Sequence, residues 1–407
     1  MKVMIVAVAD FPNGFATAER IRLISRTLRE AGNESQLALI HSGRQKAAAT
    51  VGDAAVSGEH DGVRYRYMNG QAFRPEGFLN KIIDTLVGTL RTASFIHAQH
   101  RSGNLDAVVF YTPNFLKILP ALLVAKLCRL ACFFELCEVR TAAGNNAALS
   151  RARKLASIGD RLTEKLAPKI ANGLIVISPR IRMFYADRMK PERIFYLPAL
   201  ADGNEFLQDD ATGIEFLAGR KFILSSGSFG EKEGLSFVLE AFGRVAAVHS
   251  DFFLVFTGNP NSEQRARFTE IARRHHYEER LIFTGYLSRS ELIWCYRNAV
   301  ALLACRTASE FAQFGFPTKL VEYMLSQRPI LATAVGVIAE TLHDGETAYL
   351  AEPENVDSIA AALKRLIENQ SRAAEVAAHA HALAMKNFDY RCHVQSLSEF
   401  MRKNADV

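Results

Sequence analysis

A chain of 407 residues, 49% apolar and 23% charged, has the length of two or three domains and a globular composition, which excludes a disordered or fibrous protein. No apolar run reaches the roughly 18 residues of a membrane-spanning helix. The net charge of +6 is uneven: residues 1–200 hold 28 of the 49 Lys+Arg and 16 of the 43 Asp+Glu, which leaves 21 against 27 for the remainder.

A basic first half points to an anionic partner (lipid headgroups, an acidic glycan or a nucleic acid) or to a plain solvated basic surface. The aromatic and glycine signatures of RNA- and DNA-binding modules are absent. Cys128, Cys132, Cys137, Cys295, Cys305 and Cys392 show no metal-ligand spacing. Most lie in apolar runs, as reduced cysteines of a cytoplasmic protein do.

The opening residues have the charge and apolarity of a leader peptide, but Asp10 and Pro12 end the run early. Residues 1–9 therefore read as a strand buried on both faces. A loop containing Gly14 and Phe15 leads into a helix over 18–31, and a second strand covers 34–40. This is the start of a doubly wound α/β domain, without the GxGxxG pattern of a dinucleotide site. Gly14 permits a close backbone approach.

A strand at 63–68 precedes an amphipathic helical stretch over 70–101 with a basic, aromatic edge. Two readings stand for it: a core-packing helix, or an interfacial helix that approaches a membrane. A strand at 106–112, a helix at 113–126 and a strand at 130–137 follow. Glu138 and Arg140 come just past the last of these, where open α/β sheets bind ligands, and an ordinary ion pair explains them equally well. A strongly basic helix with Arg151, Arg153, Lys154, Arg161, Lys165 and Lys169, then strands at 173–178 and 193–199, complete the first domain. The polar run up to Gly213 reads as a linker.

A second alternation begins at Lys221. Strands are expected at 222–226, 252–258, 281–286, 300–305 and 330–333, with helices at 236–248, 262–275, 289–298 and 319–326 between them. Helices at 356–369 and 371–386 and a last helix to about Met401 end the chain. Within this half, Gly315, Phe316, Pro317 and Thr318 form a Gly/Pro loop that runs into a helix carrying Lys319 and Glu322. Loop amides and a helix start suit an anion, and a carboxylate accepts two neighbouring ribose hydroxyls. An ordinary loop–helix turn with a solvated glutamate is the alternative.

The motifs of this half, in order, resemble those of the retaining GT4-type, or group 1, glycosyltransferases. Gly227-Ser-Phe-Gly-Glu-Lys-Glu-Gly-Leu235 is similar to that family's glycine loop after the first strand. Thr257-Gly258-Asn259 and Phe283-Thr-Gly-Tyr-Leu287 resemble its next two loops. The stretch from Phe314 to Glu322, followed by Arg328-Pro329, resembles its E-x7-E core in the P-x-K-x-x-E-Y form of surface-polysaccharide enzymes. Asp344-Gly-Glu-Thr-Ala-Tyr-Leu350 resembles the turn that follows.

The resemblance implies a GT-B fold. Two Rossmann-like doubly wound α/β domains would face a central cleft: an acceptor domain over 1–205 and a donor domain over 214–386. A C-terminal helix, 387–407, would cross back to the first domain. It implies a glycosyltransferase that moves a hexose-type sugar, with retention, from a nucleotide sugar of UDP or GDP type to a glycan or lipid-linked acceptor in surface-polysaccharide synthesis. No cofactor and no metal are expected, nor a nucleic acid partner. The protein is expected in the cytoplasm, with peripheral contact to an anionic membrane.

Donor-binding residues implied are Gly227, Ser228, Gly258, Tyr286, Leu287, Phe314, Gly315, Phe316, Pro317, Thr318 and Glu322. Lys232, Lys319 and Glu322 are the catalytic candidates, and Gly14, Phe15, Glu138 and Arg140 the acceptor side. Three departures stand out. Phe314 holds the position of the family's first Glu, Ser228 that of its loop Arg, and Glu233 that of its Lys. They leave Lys232 and Lys319 as the cations for the diphosphate, and they leave room for a weakly active nucleotide-sugar-binding relative, a partner subunit or a nucleotide-sugar epimerase.

Overall fold

The computed structural model describes residues 1–14, 16–43, 55–139, 151–207 and 213–405, without the side chains of 151–156. Phe15 and Arg140, two of the expected acceptor-side residues, lie outside this set. The chain divides into two compact units, 1–200 with 390–407, and 201–389. The first unit thus ends at Leu200 rather than past Glu205, and the helical C-terminus rejoins it from Tyr390 onward.

The first unit runs β1 (Lys2–Ala7), α1 (Ala16–Glu30), β2 (Glu34–Leu39), β3 (Ser57–His60), β4 (Val63–Tyr67), α2 (Phe78–Arg101), β5 (Ala107–Tyr111), α3 (Phe115–Leu127), β6 (Ala131–Leu136), α4 (Arg151–Ile170), β7 (Gly173–Val176), α5 (Pro179–Ala186) and β8 (Ile194–Tyr196). Its sheet has the order β3-β4-β2-β1-β5-β6-β7-β8 and is parallel except for the β3–β4 pair. Strands β1, β5, β6 and β7 are buried almost throughout, as uninterrupted apolar strands between two helical layers must be. The edge strand β3 is polar and exposed along its length, and no apolar alternation marks it in the sequence.

The second unit runs β9 (Lys221–Ser225), α6 (Leu235–Ala246), β10 (Phe252–Phe256), α7 (Ser262–Arg274), β11 (Leu281–Phe283), α8 (Arg289–Asn298), β12 (Ala301–Ala304), α9 (Glu310–Phe314), α10 (Thr318–Leu325), β13 (Ile330–Thr333), α11 (Val337–Thr341), β14 (Tyr349–Ala351), α12 (Val356–Glu368) and α13 (Gln370–Asn387). Its strands are all parallel, in the order β11-β10-β9-β12-β13-β14. Sequence order reverses between β9 and β12, so the loops after these strands diverge and leave a crevice at their carboxyl ends. Helices α7 and α8 start at full capping boxes, Asn261 with Gln264 and Ser288 with Glu291.

The last helix, α14 (Val394–Ala405), belongs to the first unit. Phe400 stacks on Phe195 at 5.1 Å and meets Phe133, while Asn33 Nδ2 donates to Ser398 Oγ. Tyr390 OH donates to Glu30 at 2.6 Å, and Arg26 lies over its ring. The C-terminal helix therefore returns to the first unit, as the sequence led one to expect.

Candidate active site

Three glycine loops follow β9, β10 and β11 in the second unit. Gly227, Gly258 and Gly285 all have positive φ, a conformation that side chains resist. Gly258 N donates to the Gly285 carbonyl at 2.7 Å, and a Cβ on Gly258 would meet the Gly227 carbonyl at 3.1 Å. The three loops thus lie side by side, and the approach is tightest at Gly258.

Helix α10 enters this crevice from the other side of the switch point. Leu320, Val321, Met324 and Leu325 face the core. Lys319, Glu322 and the buried Tyr323 share the other face, with Lys319 one turn before the other two. Lys319 and Tyr323 meet Ser226, the residue after β9, and Glu322 is joined to it through Tyr296. Lys319 Nζ donates to the Ser226 carbonyl at 3.0 Å, and Ser226 N donates to Tyr323 OH at 2.8 Å. Ser226 Oγ lies within hydrogen-bond distance of both Tyr323 OH and Tyr296 OH. Tyr296 OH donates onward to Glu322 Oε2 at 3.2 Å. This chain of hydroxyls fixes the carboxylate from behind.

Glu322 Oε1 is held by Arg289, whose guanidinium also binds Glu205 at 2.8 Å. Arg289 opens α8, directly after the loop that carries Tyr286 and Leu287. Glu322 is therefore a preoriented, partly accessible carboxylate rather than a solvated one.

Lys319 makes the second ion pair of the site, with Glu233 Oε2 at 2.8 Å. Burial alone would push this ammonium down, but the Glu233 carboxylate outweighs it and holds the pKa above the usual lysine value. Burial likewise pushes Glu233 up, and Lys319 with Arg306 and Lys232 brings it below the ordinary carboxylate range. Both groups are charged at neutral pH. Glu233 stands at the end of a single helical turn, Glu231–Glu233, closed by the left-handed Gly234.

Arg306 follows β12 on the other lip of the switch point and is buried. Its Nη1 donates to the carbonyls of Ala312 and Gly315, and its backbone N donates to Thr333 Oγ1. One carboxylate, Glu233, thus faces two buried cations, Lys319 and Arg306. Positive charge held in place beside glycine loops is suited to an anion.

The structure brings together Gly227, Gly258, Lys319 and Glu322 of the residues singled out from sequence. Gly315, Pro317 and Thr318 connect Arg306 to α10. Ser228 is exposed on the glycine loop, and Tyr286 is likewise exposed while Leu287 is half-buried. Lys232 turns aside, with its Nζ 4.9 Å above the Phe311 ring.

Phe314 is not in an open loop: it ends α9 and is buried. Phe316 is buried as well, edge-on to Phe388. These two positions supply packing, which keeps the Gly315 carbonyl on Arg306. Gln313 donates to its own loop at Ala308.

In the first unit, Gly14 packs closely against the chain itself. A Cβ there would lie 2.1 Å from the Asp10 carbonyl. Glu138 is half-buried just past β6.

Sequence reading missed Ser226, Arg289, Tyr296, Arg306 and Tyr323. One of them was findable, because Ser226 is the first residue beyond β9, a strand that flanks the switch point. Among the described residues no group of His, Cys, Asp and Glu has the arrangement of a metal site.

Residues 210–382 match the family model described as glycosyl transferases group 1. An alpha-1,3/1,6-mannosyltransferase of Dictyostelium discoideum is 23% identical over 249 residues, 58% of this chain and 56% of that protein. A lipopolysaccharide 1,2-N-acetylglucosaminetransferase of Salmonella typhimurium is 22% identical over 243 residues, 57% of this chain and 62% of that one. The chain thus spans little more than half the length of these relatives.

Among solved structures, a sucrose-phosphate synthase of Thermosynechococcus elongatus superposes with a TM-score of 0.73 at 14% identity, over 99% of both chains. HepE of Anabaena in complex with UDP-glucose gives 0.72 at 14% identity, over 98% of this chain and 99% of that one. The second unit is thus similar in sequence to the group 1 glycosyltransferases, and the chain shares the GT-B type of fold of these solved structures.

Proposed function

We propose that the protein is a retaining hexosyltransferase of GT4 type that uses a UDP- or GDP-sugar and acts in surface-polysaccharide synthesis. The observation that carries the reading is the Lys319–Glu233–Arg306 cluster beside Gly227. Cleavage of an anomeric carbon–phosphate bond puts charge on the departing diphosphate, and prepositioned cations and amides stabilise it as it develops. Lys319 and Arg306 meet that charge from protein groups, so the transfer is proposed to need no metal ion.

Glu322, held by Arg289 and Tyr296, is preset to accept the ribose hydroxyls. Prior orientation lowers the entropy lost on binding. Gly14 and Glu138 mark the proposed acceptor side. The names of the relatives, one acting on lipopolysaccharide and one a mannosyltransferase, support a glycan or lipid-linked acceptor. The complex of HepE with UDP-glucose supports a uridine donor. A cytoplasmic protein with peripheral contact to an anionic membrane completes the reading.

A thermal-shift panel of nucleotides and nucleotide sugars tests it. A donor at 100 times its Kd stabilises by about 2.7 kcal/mol. Stabilisation by one nucleotide sugar, followed by its turnover with an acceptor extract, is the expected result; no stabilisation by any member overturns it. The burial of Phe314 where the family has an acid favours a second reading, a donor-binding relative with little turnover. Stabilisation without transfer to any acceptor would establish that reading instead.

A further inference from the structure

Helix α2 is built inside out. Facing the first unit it presents Asp84, Gly88, Thr89, Thr92, Ala93 and Ile96, mostly small or polar. Gly88 lies so close to β2 that a Cβ would come within 2.0 Å of the Ile40 carbonyl. The large apolar side chains point the other way. Phe78, Leu79, Ile82, Ile83, Leu86 and Leu90 are exposed, Leu79 at 71% and Leu90 at 58%.

These positions recur at intervals of three and four, one continuous stripe over the first three turns. Helix α3 packs against α2 and extends the surface with Leu116, Leu123 and Leu127, the last at 83% exposure. A helix that turns its apolar side to water leaves a surface that only an apolar partner removes from it.

The charges around the stripe identify the partner. The only carboxylate on either helix is Asp84, which is buried and ion-paired with Arg74 at 2.7 Å. Lys81, Arg91 and Arg101 on α2, Lys117 and Lys126 on α3, and Arg129 just beyond are all cationic. A second copy docked here by twofold symmetry would set this cationic face against itself, with no carboxylate from either helix to relieve it. A bilayer with anionic headgroups supplies both requirements, hydrocarbon for the leucines and negative charge for the lysines and arginines, whose stems extend to the headgroup level.

We infer that the exposed α2–α3 face is a docking surface for an anionic lipid bilayer, into which Leu79, Ile83, Leu86 and Leu90 insert. This deepens the membrane contact in the reading above, and its test is independent of the donor site.

The full chain is centrifuged with vesicles of phosphatidylcholine alone or with about 30% phosphatidylglycerol, an anionic content that attracts basic segments. Sedimentation with the anionic vesicles only is expected, reduced by high salt. The triple variant Leu79→Glu, Ile83→Glu, Leu90→Glu should bind them at least tenfold more weakly. Val248→Glu, which removes an exposed apolar side chain from the second unit, should not change binding. Unchanged thermal unfolding would establish that the triple variant is folded, since its changes are all on exposed positions.

Absence of binding to anionic vesicles, or binding that the triple variant retains, overturns the proposal. So does a dimer in solution that the triple variant dissociates, which would assign the face to a second copy. Vesicle binding by a protein that no nucleotide sugar stabilises would leave the surface standing and remove the transferase reading alone.

Discussion

Each unit holds an ion pair buried beside its sheet, Arg20–Glu135 in the first and Lys319–Glu233 in the second, and the two are built to different ends. In the first unit, Arg20 from α1 binds Glu135 from β6, and the pair is almost wholly buried. Every nitrogen of the guanidinium is engaged, with Nη1 on the Pro198 carbonyl at 2.6 Å and Nη2 on Leu197 at 2.9 Å. Charge is balanced, and the cation is spent on fixing the last strand's exit. In the second unit, Lys319 and Glu233 keep some access, and the buried Arg306 adds its positive charge to the field on Glu233. A buried pair is thus a fastening when all its donors close within the fold, and a candidate site when it keeps access beside a crevice.

Breaking each pair sharpens this contrast. Arg20→Met leaves Glu135 buried without a partner, which costs about 3–5 kcal/mol. An unfolding midpoint lower by about 10 °C is expected on that scale, while the affinity of the surviving protein for its donor stays as in the parent. Loss of donor affinity at full thermal stability would contradict the assignment of Arg20 as a fastening.

Lys319→Met is expected to weaken donor binding about 30- to 100-fold, the loss of a charged hydrogen-bond donor, and to lower stability as well. Adding Glu233→Gln separates the two effects, because removing both charges is close to neutral for folding. Calorimetry on the double variant should show stability largely restored and donor binding still absent. Recovery of both would make this pair a fastening too.

Phe314→Glu bears on the same contrast from the sequence side. It introduces the acid that the family resemblance places there, at a position that is buried. Equilibrium denaturation should show a loss of about 2–4 kcal/mol, with no gain in turnover.

A pH series gives a smaller effect. Glu233 titrates below its unfolded value, so its contribution is present above about pH 4.3 and is lost as pH falls through the depressed pKa. Lys319 titrates above its unfolded value, so its contribution is complete below about pH 10.4 and is lost only as pH rises through the raised pKa. Stability from this pair should be flat across the neutral range and fall at both extremes. A midpoint near neutrality that disappears in the double variant would contradict the assignment. The smallest expected effect is that of a chelator: stabilisation by the donor should be the same in EDTA, since Lys319 and Arg306 supply the positive charge.

The α/β alternation was legible because buried parallel strands are short apolar runs between polar loops, and β9, β10, β12 and β13 fall where those runs are. Helix α9 and strand β3 were not, the first being only five residues long and the second polar and exposed at a sheet edge. Of the site, Gly227, Gly258, Lys319 and Glu322 could be read because motif order carries them. Arg289, Arg306 and Tyr296 could not, since what makes them part of the site is a contact across many residues. Tyr296 meets Ser226 from seventy positions away. The role of Phe314 was misleading for the same reason: its position suggested a sugar contact, and only the packing around α9 shows that it faces inward. The basic, aromatic edge of 70–101 was visible in sequence, but not which side of the helix is turned outward, because Gly88 and the threonines decide that against β2.

The chain enters the second unit at Ala201 and leaves it at Asp389, and these two residues pair with one another. Ala201 N donates to the Phe388 carbonyl at 3.1 Å, and Gly203 N to Asp389 Oδ2 at 3.0 Å. Both ends of a 189-residue stretch are therefore tied side by side within that stretch. Such an element is a cassette. It can be lifted out and expressed as one piece, or exchanged for the corresponding piece of a relative at a single pair of seams, with the tie between its ends carried along in the graft.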